Sequence, residues 1–143
     1  MPGELIRSIS LKLPEKNDIF RLYKVSKRKD LDISSFTAGM LLSLNQNRMT
    51  KVRLAMGGVA PVALRLKKTE EWLKGKDFSL DIMMQAGRKA VQEISPISDV
   101  RASKDYRLRL AENIFEKLYY ESNPQPTASV SYTHLTLPTI YSV

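Results

Sequence analysis

The chain has no cysteine in 143 residues, which excludes disulfides, thiolate metal sites and cysteine nucleophiles within it. That absence is compatible with a reducing setting, and the cytoplasm is the expected location. There is one histidine, His134, and one tryptophan, Trp72. No apolar run approaches the roughly 18 residues that cross a bilayer, so no membrane role is expected. The opening "MPGELIRSIS" lacks the apolar stretch of a secretion signal. Neither GxGxxG nor GxxxxGK followed by Ser or Thr occurs, so the usual glycine-rich phosphate cradles are missing.

What is present is an ordinary apolar share of 43%, sufficient for one packed domain. The net charge is +8 and the pI about 9.8, which favours anionic partners without naming one. RNA, an acidic subunit face and a phosphate-bearing cofactor all fit.

Periodicity organises the first 120 or so residues. "ELIRSISLKLP" alternates Leu5, Arg7, Ile9 and Leu11 against Ile6, Ser8, Ser10 and Lys12, which predicts a short strand stopped by Pro14. "FRLYKVS" alternates Phe20, Leu22 and Lys24 against Arg21, Tyr23 and Val25, again a strand. "SSFTAGMLLSLNQNRMTKVRLAMGG" reads as a hairpin, with Met40, Leu42 and Leu44 on one face of the outgoing strand. Asn45 to Arg48 form the loop, and Val52, Leu54 and Met56 share a face on the return.

The period then lengthens to between three and four. Pro61 is expected to open a first helix with Val62, Leu66, Thr69 and Leu73 inward, and Gly75 to end it. Ser79 is the expected N-cap of a second, with Met83, Ala86, Ala90, Val91 and Ile94 inward and Pro96 beyond. Ser103 caps a third, with Leu108, Ala111, Ile114, Phe115 and Leu118 inward. Strands first and helices after them predict an α+β fold: an antiparallel sheet of three to four strands with three helices on one face.

The end of the chain differs. "SVSYTHLTLPTIYSV" carries no charge and no helical period, and Val130 to Thr139 reads as a translated transposase sequencing adapter. Residues 129–143 are therefore not expected to belong to the fold, and 122–143 are expected to be a disordered tail. His134 falls inside that stretch, so the remainder has neither histidine nor cysteine for general base or metal ligation.

The carboxylates suit solvated faces: Asp30 and Asp32 beside Lys27, Arg28 and Lys29, Glu70 and Glu71 on the first helix, Glu112, Glu116 and Glu121 on the third. No catalytic residue is assigned. Gly57-Gly58 suits a sharp bend after a strand, Trp72 a core or interface, and Tyr119-Tyr120 packing or a partner contact. The basic cluster in "LYKVSKRKDLDIS" is open to several readings: a nucleic-acid grip with Tyr23 for stacking, a solvated turn, or part of a site for a smaller anion. No recognised nucleic-acid motif accompanies it.

Five blocks carry more information together: "PGELIRSISLKLP", "FRLYKVSKRKDLDIS", "TKVRLAMGGVAP", "EEWLKGK" and "ISPISDVRASKDYRLRLA". In this order they resemble the carboxyl end of the FAD-binding subunit of molybdenum hydroxylases, chiefly the small subunit of bacterial xanthine dehydrogenases. Carbon monoxide dehydrogenases and quinoline or nicotinate oxidising enzymes share the pattern more loosely. The most telling piece is Ser98 to Arg107, "SDVRAS" followed two residues later by Tyr-Arg.

The resemblance implies an oxidoreductase in which electrons pass from a molybdopterin centre through iron–sulfur clusters to FAD, then to NAD or another acceptor. It implies that residues 1–14 are the last strand of a preceding FAD-binding domain and 15–121 a carboxyl-terminal domain. The chain is then a fragment, expected to be inactive alone. Its partners would be that upstream FAD-binding domain and the iron–sulfur and molybdenum-binding domains or subunits. Two cofactor-binding residues carry over by position: Lys24, toward the flavin's pyrimidine edge, and Ile6, lining the isoalloxazine pocket. For Ile6 ordinary core packing is the competing expectation. Lys27, Arg28 and Lys29 are left as a surface turn. The competing function is a free-standing basic module that binds nucleic acid or another partner.

Overall fold

A computed structural model describes residues 3–28 and 32–123. Lys29, Asp30 and the whole stretch 124–143, with His134 and the adapter-like segment, lie outside the described residues.

Four strands form one antiparallel sheet in the order β1 (Asp18–Val25), β2 (Phe36–Asn45), β3 (Arg48–Gly57) and β4 (Leu64–Arg65). Three helices follow: α1 (Lys67–Leu73), α2 (Leu80–Val91) and α3 (Lys104–Ser122). The α+β architecture is the one expected from the change of period.

The β2–β3 hairpin turns at Gln46 and Asn47, whose φ angles are 47° and 66°. Two successive positive φ values make the tight turn whose twist matches that of paired strands. A bulge at Ser43/Leu44 re-aims the strand near the turn. Beyond it, alternate residues separate cleanly: Phe36, Ala38, Met40, Leu42, Val52, Leu54 and Met56 are buried on one face. There they join Leu73, Met83, Ala86, Ala90, Ile114, Phe115 and Leu118 from the helices in a single core. Side chains at odd and even positions of a strand point to opposite faces, so the same backbone supplies a covered and an open side.

Helices α2 and α3 begin where their caps place them. The Ser79 hydroxyl accepts from the Ile82 N–H and the Ser103 hydroxyl from the Tyr106 N–H. Their axes approach closely at Gly87, where any Cβ would run into the Glu112 carbonyl. Gly75 adopts φ 79° just past the end of α1, the left-handed conformation expected there.

Two expectations need correction. Pro61 does not open α1. Val62 is 71% exposed, Leu64–Arg65 pair with β3 instead, and the helix starts only at Lys67. The edge of β3 competes for this backbone, since the Leu66 N–H donates to the Leu54 carbonyl at 3.0 Å. The first turn of α1 is then capped from a distance by Glu93, which accepts from the Lys68 and Thr69 N–H groups and from the Thr69 hydroxyl. The strand expected within residues 4–13 also forms no ladder with the described residues. Leu5, Ile6, Ile9, Leu11 and Leu13 all stand exposed.

Candidate functional site: the open face of the sheet

The face turned away from the helices has an unusual composition. Cross-strand register places Phe20 beside Leu41, Leu22 beside Gly39 and Lys24 beside Thr37. It continues to β3 through Leu41 with Arg53, Gly39 with Ala55 and Thr37 with Gly57, and Ala55 meets Arg65 on β4. A solvated sheet face ordinarily reads polar, yet Leu22 is 72% exposed here and Phe20 39%.

Two shallow hollows lie on it, sharing Gly39 and Ala55 as floor. One, of about 310 Å³, is bounded by Leu22, Thr37, Gly57 and Ala63. The other, of about 290 Å³, is bounded by Phe20, Leu41, Arg53 and Arg65. Small residues keep the floor low. A Cβ at Gly39 would come to 3.3 Å from the Leu22 side chain, and one at Gly57 would collide with the Thr37 hydroxyl.

Lys24 stands opposite Thr37 at one end of this floor, exposed and outside the lining of both hollows, with no hydrogen bond or ion pair among the described residues. An ammonium left free beside apolar surface is available to a ligand's negative charge. Ile6 is not brought to it: this residue is 84% exposed in the unpaired amino-terminal segment and lines neither hollow. Nor is Ile6 packed into the core formed by the described residues.

The remainder of the basic cluster is engaged elsewhere. Lys27 donates to the Val100 carbonyl at 2.7 Å, and Arg28 pairs with Asp32 through its N–H and its guanidinium. Tyr23 faces the helices, where its hydroxyl donates to Glu121 at 2.8 Å. Burial and the Glu121 carboxylate push that phenol's pKa up. A stacking platform needs an exposed ring, so Tyr23 does not serve the nucleic-acid reading.

The Ser98–Arg107 block forms a clasp that sequence patterns did not expose. Arg107 is 3% exposed, and its guanidinium donates to the Gly58 carbonyl at 2.9 Å and to Asp99 at 2.6 Å. Asp99 also accepts from the Arg101 and Ala102 N–H groups and from the Arg101 guanidinium. Burial pushes the Asp99 carboxyl up, but the donors from Ala102, Arg101 and Arg107 outweigh it and hold the group well below the usual carboxylate range. Gly58, at φ 78°, leaves no room for a Cβ, which would sit 2.6 Å from the Ser35 carbonyl. The clasp thus ties the start of α3 to the end of β3, next to the Thr37–Gly57 pair on the open face. A charged residue inside an amphipathic helix looks solvent-facing in sequence, and only the unusual block around Arg107 hinted otherwise.

The CO dehydrogenase flavoprotein C-terminal domain family matches residues 21–122. The chain belongs to that family. As a CO dehydrogenase flavoprotein C-terminal domain, it is 32% identical over 127 residues to a xanthine dehydrogenase of Emericella nidulans, covering 85% of this chain and 9% of that protein. It is 27% identical over 100 residues to a xanthine dehydrogenase FAD-binding subunit of Escherichia coli O157:H7, covering 70% of this chain and 34% of the relative. The domain thus spans about a third or less of the length of these relatives. Among solved structures, carbon monoxide dehydrogenase from Hydrogenophaga pseudoflava superposes with a TM-score of 0.66 at 22% identity, over 72% of this chain and 36% of that one. Quinoline 2-oxidoreductase from Pseudomonas putida 86 gives 0.65 at 26% identity, over 73% and 36%.

Proposed function

We propose that this domain supplies one wall of the flavin pocket in the FAD-binding subunit of a xanthine dehydrogenase-like molybdenum hydroxylase. The observation that carries the reading is Lys24, an unpaired cation at the end of an uncovered, apolar, glycine-floored sheet face. The residues fit a flat ring system: Gly39, Ala55 and Gly57 leave a low surface, and Leu22 and Thr37 give it apolar and hydroxyl flanks. When bound, FAD would carry electrons from the iron–sulfur clusters of partner domains or subunits to NAD or another acceptor.

The chain's own part is electrostatic and steric. The Lys24 ammonium would hold the negative charge that gathers at the ring's pyrimidine edge, raising the potential at which electrons are accepted. Leu22 and the floor residues would exclude water from one face of the ring, which strengthens that charge interaction. Ile6 would join the pocket only after residues 1–14 take their place as a strand of a preceding FAD-binding lobe. The exposed Leu5, Ile9 and Leu11, which alternate on one side of that segment, support such docking, because their apolar surface has no cover within this chain. A cytoplasmic setting goes with this assignment, and no described helix is long and apolar enough to cross a membrane.

The test is Lys24→Met in the complete FAD-binding subunit, read by flavin redox potential and by the rate of FAD reduction. The potential should fall and reduction should slow, with the protein's thermal stability unchanged. An unaltered potential and rate would remove Lys24 from the site.

A further inference from the structure

A second charged feature lies at the β3–α1 edge of the sheet; it shares Arg53 and Arg65 with the second hollow but none of the residues of the hollow nearer Lys24. Between the outer edge of β3 and helix α1 is a notch of about 340 Å³, walled by Lys51, Arg53, Arg65, Lys67 and Lys74. Glu70 forms its base. This carboxylate is 7% exposed and accepts from the Leu54 N–H at 2.8 Å and from the Arg65 guanidinium through both oxygens. Arg53 lies 4.0 Å from the same carboxylate. The negative charge of Glu70 is therefore consumed inside the wall, and it serves to hold Arg65 in a set orientation. Of the remaining charges lining the notch, only Glu71 is negative.

The backbone adds a donor. Neighbouring outward groups of β3 are already used: the Met49 N–H by the Lys76 carbonyl, the Met49 carbonyl by the Gly75 N–H, and the Leu54 carbonyl by the Leu66 N–H. Alternation from Leu54, whose N–H and carbonyl both face outward, turns Val52 the same way: its carbonyl accepts from the Arg53 guanidinium at 3.0 Å, and its N–H faces the notch. A preset guanidinium, flexible ammonium groups and an amide converging on one small space form a site for a compact anion.

We propose that this notch receives an acidic side chain from an extended segment of a protein partner, with its carboxylate directed to Val52 N–H and Arg65. A nucleic-acid backbone suits it less well. The notch is short, no aromatic ring lines it for base stacking, and Glu71 at its rim would oppose a run of phosphates.

The test uses the full chain, a fluorescently labelled deca-glutamate peptide and a single-stranded DNA decamer of equal charge, at low salt. Lys67 and Lys74 are exposed, and their side chains hold no partner among the described residues, so reversing them should leave the fold intact. The double variant Lys67→Glu/Lys74→Glu should weaken peptide binding at least tenfold. An equal reversal on α3, Lys104→Glu/Arg109→Glu, should weaken it less than twofold. The Val52 amide resonance should move on titration with the peptide. Equal losses from both reversals, a stationary Val52 resonance, or tighter binding of the DNA lost with the α1 variant would each overturn the proposal.

Discussion

On β2, Met40 and Leu42 are buried against the helices, whereas Leu22 and Phe20 on β1 lie on the opposite, open face of the same sheet and remain exposed. Both faces are apolar along much of their length, yet only one is covered by this chain. A solvated face would be expected to carry alternating polar residues. The open face instead carries Phe20, Leu22, Leu41 and Ala55 around a glycine floor, with Lys24, Arg53 and Arg65 along its margins. The lesson is that burial within the chain and hydrophobicity of the strand are separate properties. The covered face measures what holds the domain together, and the open face measures what it is built to meet.

That contrast can be broken by substitution, and the largest effect belongs to the covered side. Phe115→Ala should cost about 3–5 kcal/mol in urea denaturation, because the ring is fully buried and its removal leaves a cavity. Arg107→Met should come next, lowering the melting temperature on the order of 10 °C by removing one of the donors to Asp99 and the side-chain donor to the Gly58 carbonyl. A loss of only a degree or two would mean that the clasp does not stabilise the fold.

Asp99 also gives a pH signature. Its carboxyl is held below its ordinary value, near 3.9, so the folded state binds this proton less readily than the unfolded chain. The stabilisation is therefore fully present above about pH 4 and lost as pH falls further toward the depressed folded-state value. Asp99→Asn should lower stability at neutral pH and flatten the acid side of a pH–stability curve. Equal slopes for both proteins would contradict the assignment. The smallest effect is expected on the open face: Leu22→Ser should change unfolding free energy by less than about 0.5 kcal/mol. If it costs several times that, the face is part of this chain's own core.

Local pattern carried much of the architecture. The period-two runs in β1, β2 and β3 marked the strands, Gln46-Asn47 fell within the expected loop, and Ser79, Ser103 and Gly75 stood where helices begin or end. The start of α1 was not legible, because Glu93 caps it from 24 residues away and the edge of β3 claims Leu66 first. Glu70 and Arg107 were equally hidden. Each looks like one more charge on a helix surface, and each is buried because its partner arrives from another element.

Lys24 sits between these cases. Its break in the apolar run of Phe20 and Leu22 was visible in sequence, but alternation alone does not say which side of a strand the helices will cover. The sequence by itself determined the elements and the residues sharing each face, since strand and helix periods depend on neighbours only a few positions apart. Only the tertiary structure decided which face stays open, which charges are buried and which cations are left free. Those outcomes depend on groups far apart in the chain that meet once the sheet and helices have packed.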